Sequence, residues 1–473
     1  MMNGQLGMPL APELAVFALA ILVLLAGIIR PGRAIGWIAF IGLLAIFGSM
    51  SFASEGQVLF GGAFVQDALA LFAKRLFIAA TALSLLGSLT IGHAPFDRRS
   101  AEYHFAMLVS LLGMLVLASA RELILLFVAF ELMSIPLYVL TGFIKRDAVA
   151  PEAALKFFLV GTVSSAVIAY GMSFIYGATG STALSMIPQA IRDGHPIVLL
   201  GMGLLLAGFG FKIAAFPFHM WAPDSYEAAS TPFVAWLSVA PKTAGFVAII
   251  RVYLEGLGST AEIWMPILAT LAGMTIVTGN LMAIPQKNIK RLLAYSGVAH
   301  IGYMLIGVAV VSSAGIAMLL FYLLAYLFGN MGTFMVVEAV ARSEKSDNID
   351  AYKGLAQRSP LLALAMLVFL LSLGGIPFVA GFWAKLYIFM AAAERGMYGL
   401  VFLGAVLTVV ALYYYLLVAR RMYIEAPVRR DPVPMPGLLG AAIAVCAIGV
   451  VGIGVYPGPW VTIAERVAST LFP

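Results

Sequence analysis

Fourteen long apolar runs, separated by short polar breaks, set the first constraint on this chain. Hydrophobic residues make up 62% of its 473 residues and charged residues 11%. At about 20 apolar residues per bilayer crossing, that is enough for about 13–15 transmembrane helices. Soluble domains are about 45–50% apolar and about 25% charged. The chain departs from both marks in the same direction, which excludes a soluble globular protein and an intrinsically disordered one. A transmembrane barrel would alternate apolar and polar residues over strands of about ten, whereas these runs are unbroken. They predict an all-α integral membrane protein with helices at about 12–29, 35–52, 68–91, 104–119, 122–143, 152–176, 196–217, 231–254, 263–284, 291–311, 314–341, 360–390, 398–422 and 437–456. About 17 residues follow the last span.

Charge then sets topology. The net charge of +6 reads as an orientation signal rather than a nucleic-acid footprint. Eighteen basic residues follow spans 1, 3, 5, 9, 11 and 13, among them Lys145, Arg146, Lys156, Lys290, Arg291 and Arg420. Arg121, Arg192, Arg251, Arg395 and Arg466 fall on the opposite side, while Lys74 and Arg75 lie inside span 3. Positive residues stay inside, so both termini are expected outside, on the periplasmic face of a bacterial inner membrane. No Lys or Arg occurs in the first 29 residues, so no signal peptide is expected. The single cysteine, Cys446, excludes a disulfide framework and a Cys-built metal or iron–sulfur site.

Two apolar segments are interrupted by proline, Gly208-Phe-Gly-Phe-Lys212-Ile-Ala-Ala-Phe-Pro217 in span 7 and Leu373-Gly-Gly-Ile-Pro377 to Lys385 in span 12. They lie five spans apart and so run in opposite directions. That is the pattern of two inverted five-helix repeats, spans 4–8 and 9–13, with broken helices in spans 7 and 12. Paired broken helices point to an ion site, since a freed backbone carbonyl is tolerated only beside protein or water. A packing kink is the plainer alternative for either segment. The expected organisation is an N-terminal three-helix segment (1–103), a first repeat (104–254), a second repeat (263–422), and a C-terminal helix and tail (437–473).

Four charges sit deep in these spans: Glu131, Lys212, Lys242 and Lys385. Each costs at least about 2.5–3.5 kcal/mol at mid-bilayer. One or two structural ion pairs would be the plain reading, but one acid cannot pair three bases. A desolvated lysine left without a carboxylate gives up its proton readily, so these residues are candidates for a proton relay. His300, inside span 10, suits the same task, and His219, just past the span-7 break, is a further candidate. Lys156, near the inner end of span 6, is either a surface anchor or a proton port. The chain lacks a P-loop, a Gly-x-Gly-x-x-Gly after a strand and a His-Glu-x-x-His. It is therefore expected to move protons or cations without electron chemistry of its own.

Three stretches are more specific: Pro217-Phe-His-Met-Trp-Ala-Pro-Asp-Ser-Tyr-Glu227, Val239-Ala-Pro-Lys242 and Ala294-Tyr-Ser-Gly-Val-Ala-His300-Ile-Gly-Tyr303. They closely resemble the antiporter-like subunits of respiratory complex I, over about residues 100–425. Leu292-Leu-Ala-Tyr-Ser and Ile376-Pro-Phe-Val-Ala-Gly-Phe-Trp-Ala-Lys385 are most similar to the N type. A lysine ends the span-12 motif, where the M type would carry glutamate, and the chain stops short of the long lateral helix of the L type. Gly297 stands where a second serine is common. The resemblance implies that Glu131 and Lys212 form a Glu–Lys pair, that Lys242 and His300 connect it onward, and that Lys385 is the exit base. It also implies a membrane-arm subunit among neighbouring antiporter-like subunits, binding no cofactor itself, with NADH, FMN, iron–sulfur clusters and quinone held by other subunits. A multisubunit cation/proton antiporter shares fold and motifs and is the alternative. A proton-pumping hydrogenase-type complex and a non-transporting scaffold are more distant ones.

Overall fold

The computed structural model describes residues 9–90, 94–144, 149–191 and 196–472. Lys145, Arg146 and Arg192, used above for orientation, lie outside the described residues. In chain order the helices are α1 (Ala11–Ile29), α2 (Ala34–Ser49), α3 (Ala68–Ser88), α4 (Ala94–Arg98), α5 (Ser100–Ser119), α6 (Leu123–Thr141), α7 (Val149–Thr179), α8 (Ile187–Ala190), α9 (Pro196–Ile213), α10 (Trp221–Ala228) and α11 (Thr231–Leu237). They continue with α12 (Ala240–Ile249), α13 (Ala261–Ala283), α14 (Ile289–Ala309), α15 (Ser313–Glu344), α16 (Leu355–Arg358), α17 (Pro360–Gly374), α18 (Ala380–Glu394), α19 (Tyr398–Tyr423), α20 (Gly437–Val455) and α21 (Gly458–Ser469). Thirteen helical stretches among the described residues are long and apolar enough to cross a membrane. The remaining expected span, 360–390, is divided between α17 and α18, each of 15 residues. The chain forms two units: Met1–Ile213 with Ala240–Ile263, and Ala214–Val239 with Trp264–Pro473.

In the first unit α1, α2, α3 and α5 pack on one another, and α5 lies against α6. Gly113 sets that closeness, because a Cβ there would stand 2.4 Å from the Met133 nitrogen. Pro136 inside α6 cannot donate to the Leu132 carbonyl, and Ser110 Oγ donates to the neighbouring Met133 carbonyl at 2.7 Å. α7 packs along α9, where Ser164 Oγ donates to Gly208 O at 3.0 Å. Between α2 and α3 runs a hairpin the apolar pattern did not foretell. Strands β1 (Gln57–Leu59) and β2 (Phe64–Gln66) pair antiparallel, with Gln57 opposite Gln66. Gly61 and Gly62 turn the chain at positive φ, and the hairpin delivers Asp67, whose carboxylate caps α3 at Ala70 N, 2.9 Å away. Span 8 ends in this unit, with α12 against α3, α5 and α9, continuing as a π-helical turn over Ile250–Gly256.

In the second unit the 32-residue α15 is the hub, touching α11, α14, α17, α18, α20 and α21. Every residue of α14 except Arg291 is buried. A helix enclosed on all sides can keep polar residues only where they find partners, so the polar positions of α14 carry information. The C-terminal tail is ordered as α21, whose Ala464, Val467 and Ala468 are buried.

Both expected breaks are present. After α9, Ala214 takes a φ of +62°, the Phe216–Pro217 bond is cis, and α10 follows. After α17, Gly375 and Phe378 take φ of +82° and +73° around Pro377. A third interruption, Ser238–Val239 between α11 and α12, divides span 8. Pro241 then sits in the first turn of α12, where a missing N–H costs little.

Candidate functional site

Three helices of the first unit converge on one ammonium. Glu131 and Ser134 lie three residues apart on one face of α6, Ser165 is on α7, and Lys212 is one residue from the end of α9. Lys212 Nζ donates to Ser134 Oγ at 2.8 Å and to Ser165 Oγ at 3.3 Å. Ser165 in turn donates to Glu131 Oε1 at 2.5 Å. The direct Lys212–Glu131 separation is 3.5 Å, with the lysine 3% and the glutamate 27% exposed. Charge-assisted hydrogen bonds normally close to about 2.7–2.9 Å, so the serine, rather than direct contact, carries the tightest link. Ser134 and Ser165 carry no sequence signal, because serine is unremarkable in an apolar helix.

Lys242 is buried on α12 in the same unit. Lys156 is half-exposed and pairs with Glu152 at 2.8 Å, one turn away on α7, which favours the surface anchor over the proton port.

The second unit holds the remaining candidates. Lys385 Nζ donates to the Leu373 carbonyl at 2.9 Å and the Gly374 carbonyl at 3.4 Å, two groups released by the break after α17. It also lies 4.9 Å from the centre of the Tyr303 ring. His300 also packs against that tyrosine, with ring centres 6.2 Å apart. The structure thus gathers His300 and Lys385 around Tyr303. His219 is buried beside Phe216 and Tyr295, and its Nδ1 has no hydrogen-bond partner among the described residues. Near it, Arg291 holds both Asp224 and Glu227, at 2.7 and 2.9 Å, fixing α10 to the start of α14. Among the described residues, no three His, Cys, Asp or Glu side chains are grouped to hold a metal ion.

Further buried charges escaped the sequence reading. Glu13 and Lys74 pair at 2.7 Å, and both are almost fully buried. Arg251 is fully buried and grips Asp67 with both terminal nitrogens at 2.6 Å, while also bonding Glu255 at 2.6 Å. Arg121 contacts Asp67 and Glu255 at 3.0 Å each. Sequence pattern alone places Lys74 inside span 3 and Arg251 on the side opposite the basic excess. Glu13 and Asp67 lie 61 and 184 positions from Lys74 and Arg251, beyond any local signal, whereas Glu255 stands one turn from Arg251.

Buried ion pairs on broken membrane helices define a class, and comparison with known proteins places the chain in it. Residues 120–411 match the family model described as NADH:quinone oxidoreductase/Mrp antiporter, transmembrane. The NADH-quinone oxidoreductase subunit N of Moorella thermoacetica is 40% identical over 98% of both chains. A chain of respiratory complex I from Thermus thermophilus is 33% identical, with a TM-score of 0.83 over 96% of this chain and 99% of that one. A chain of the Mrp complex from a Dietzia species shares the fold, with a TM-score of 0.84 at 20% identity over 98% and 96% of the two chains. The chain belongs to the NADH-quinone oxidoreductase subunit N family of antiporter-like membrane subunits.

Proposed function

We propose that this chain translocates protons as a membrane-arm subunit of a proton-pumping NADH:quinone oxidoreductase, beside other antiporter-like subunits. It performs no redox step itself; NADH, FMN, iron–sulfur clusters and quinone belong to other subunits. The basic-residue count supports a bacterial inner-membrane location with both termini outside, and the two similar breaks support inverted repeats over spans 4–8 and 9–13. The observation that carries the reading is the Glu131–Ser165–Lys212 linkage at the end of a broken helix.

The chemistry follows from the pairing. A buried ammonium beside a carboxylate is held charged, and withdrawing the carboxylate removes that support. A change transmitted from quinone reduction loosens the pair, and Lys212 passes its proton to Lys242. His300 and Lys385 serve the corresponding steps in the second unit, with release from Lys385 to the outside and reprotonation of Lys212 from the inside. His219 is a subsidiary carrier at the first break.

A tagged chain, purified from membranes in mild detergent, should bring NADH:quinone reduction with it. In the same preparation Lys242→Ala should assemble normally yet pump fewer protons per NADH oxidised; full pumping would sink the relay. Material that oxidises no NADH but exchanges Na⁺ for H⁺ in vesicles would replace this reading with the cation/proton antiporter.

A further inference from the structure

The second unit contains two tyrosines for which the relay has no role so far, and they meet His300 on opposite sides. His300 Nδ1 lies 2.8 Å from the hydroxyl of Tyr322 on α15, and Nε2 lies 3.3 Å from the hydroxyl of Tyr415 on α19. The Tyr415 hydroxyl is also hydrogen-bonded to Ser296 Oγ, one turn before His300 on α14. All four side chains are buried.

A histidine kept for packing is pinned. His104 shows the pattern: its Nδ1 stands 2.5 Å from the Ser100 carbonyl oxygen, an acceptor only, which fixes one tautomer. At His300 both ring nitrogens meet hydroxyls, and a hydroxyl both donates and accepts. Either tautomer, and the doubly protonated ring, is satisfied without moving a heavy atom. That is the requirement for a group that takes a proton on one nitrogen and releases one from the other.

We propose that Tyr415 and Tyr322 are proton-carrying residues that form the two terminals of His300, in the line Ser296–Tyr415–His300–Tyr322. Nε2 takes the hydroxyl proton of Tyr415 as the Ser296 proton replaces it. The Nδ1 proton leaves to Tyr322, whose own hydroxyl proton moves on. Water resupplies Ser296 and accepts from Tyr322, so one proton enters, one leaves and no group changes its charge. The reverse sequence uses the same bonds.

The inference rests on His300 belonging to the relay, so the test separates the two. The assembled complex is reconstituted in vesicles, and NADH oxidation and proton uptake are followed together. A positioned acid–base group contributes about 10²–10⁴-fold to a transfer rate. Tyr322→Phe and Tyr415→Phe, each removing one oxygen, should therefore each abolish this subunit's share of the pumped protons, as His300→Ala does. If His300→Ala and Lys385→Ala fail to pump while either phenylalanine variant pumps normally, the terminals are refuted and the relay stands. If His300→Ala and Lys385→Ala themselves pump normally, the underlying reading falls. Fluorotyrosine at position 415 acidifies the phenol without reshaping it, which guards against a loss that is only structural. It should shift the pH profile of pumping, and an unmoved profile would overturn the proposal.

Discussion

Ser165 holds the Glu131–Lys212 pair at a distance from which it can be loosened. It accepts from the ammonium and donates to the carboxylate, so one small side chain stabilises both charges across a gap of 3.5 Å. Removing it leaves the buried ammonium and the partly buried carboxylate each short of a partner, at about 1–3 kcal/mol for an unmet hydrogen bond. Ser165→Ala should lower pumping severalfold with normal assembly, because Ser134 still holds Lys212. Ser165→Thr, which keeps the hydroxyl, should recover most of it, and dye quenching in inverted vesicles reads both. The two charges were legible in the sequence because a Glu and a Lys stand out in apolar runs. The serine was not, since its role exists only where α6, α7 and α9 meet.

The second broken helix places Lys385 beside freed carbonyls, and Gly375 is the residue on which that break depends. Its φ is +82°, where any Cβ is strained, and a Cβ there would stand 3.0 Å from Lys385 Cδ. Gly375→Ala adds about 1–2 kcal/mol of backbone strain and pushes Lys385 away from the Leu373 carbonyl. Gly396 provides the control, with a φ of +72° and no atom within 4 Å of a built Cβ. Both alanine variants should assemble, and only Gly375→Ala should lose pumping; equal pumping by the two would show that the lysine's position is irrelevant. At this scale Pro217 and Pro377 announced two breaks, and the apolar runs located the spans. The division of span 8 at Ser238–Val239 and its π-helical end went unannounced, because Pro241 is equally at home in a first turn. The hairpin was hidden because three-residue strands are too short to show a period.

At the scale of the molecule, the first unit is fastened by an ionic network that balances its own charge. Asp67, Glu255, Arg121 and Arg251 join the start of α3, the link into α6 and the end of span 8, while Glu13–Lys74 ties α1 to α3 beside them. Five of the six residues lie at or near helix ends, and Lys74 lies nearly two turns inside α3. Opposite charges in equal number suit a static anchor, since adding a proton to any of the carboxylates would leave a cation uncompensated. Lys242 and Arg251 share one helical span, so the network sets where that base stands. Burial works to raise the Asp67 carboxyl, but Arg251 foremost, with Arg121, more than offsets it and holds the group below the usual carboxylate range. A lowered carboxylate stabilises the fold at neutral pH, and that contribution fades as the pH falls through its folded-state value. The first unit should therefore be the acid-sensitive part. Removing one partner of a buried pair costs about 3–5 kcal/mol, so Arg251→Ala should sharply reduce assembled subunit in membranes and lower its melting temperature in detergent. Arg251→Lys should not restore either, because an ammonium cannot reproduce the two-pronged grip on Asp67. A lysine variant as stable as the parent would mean that charge alone holds the unit together and that the guanidinium geometry is incidental.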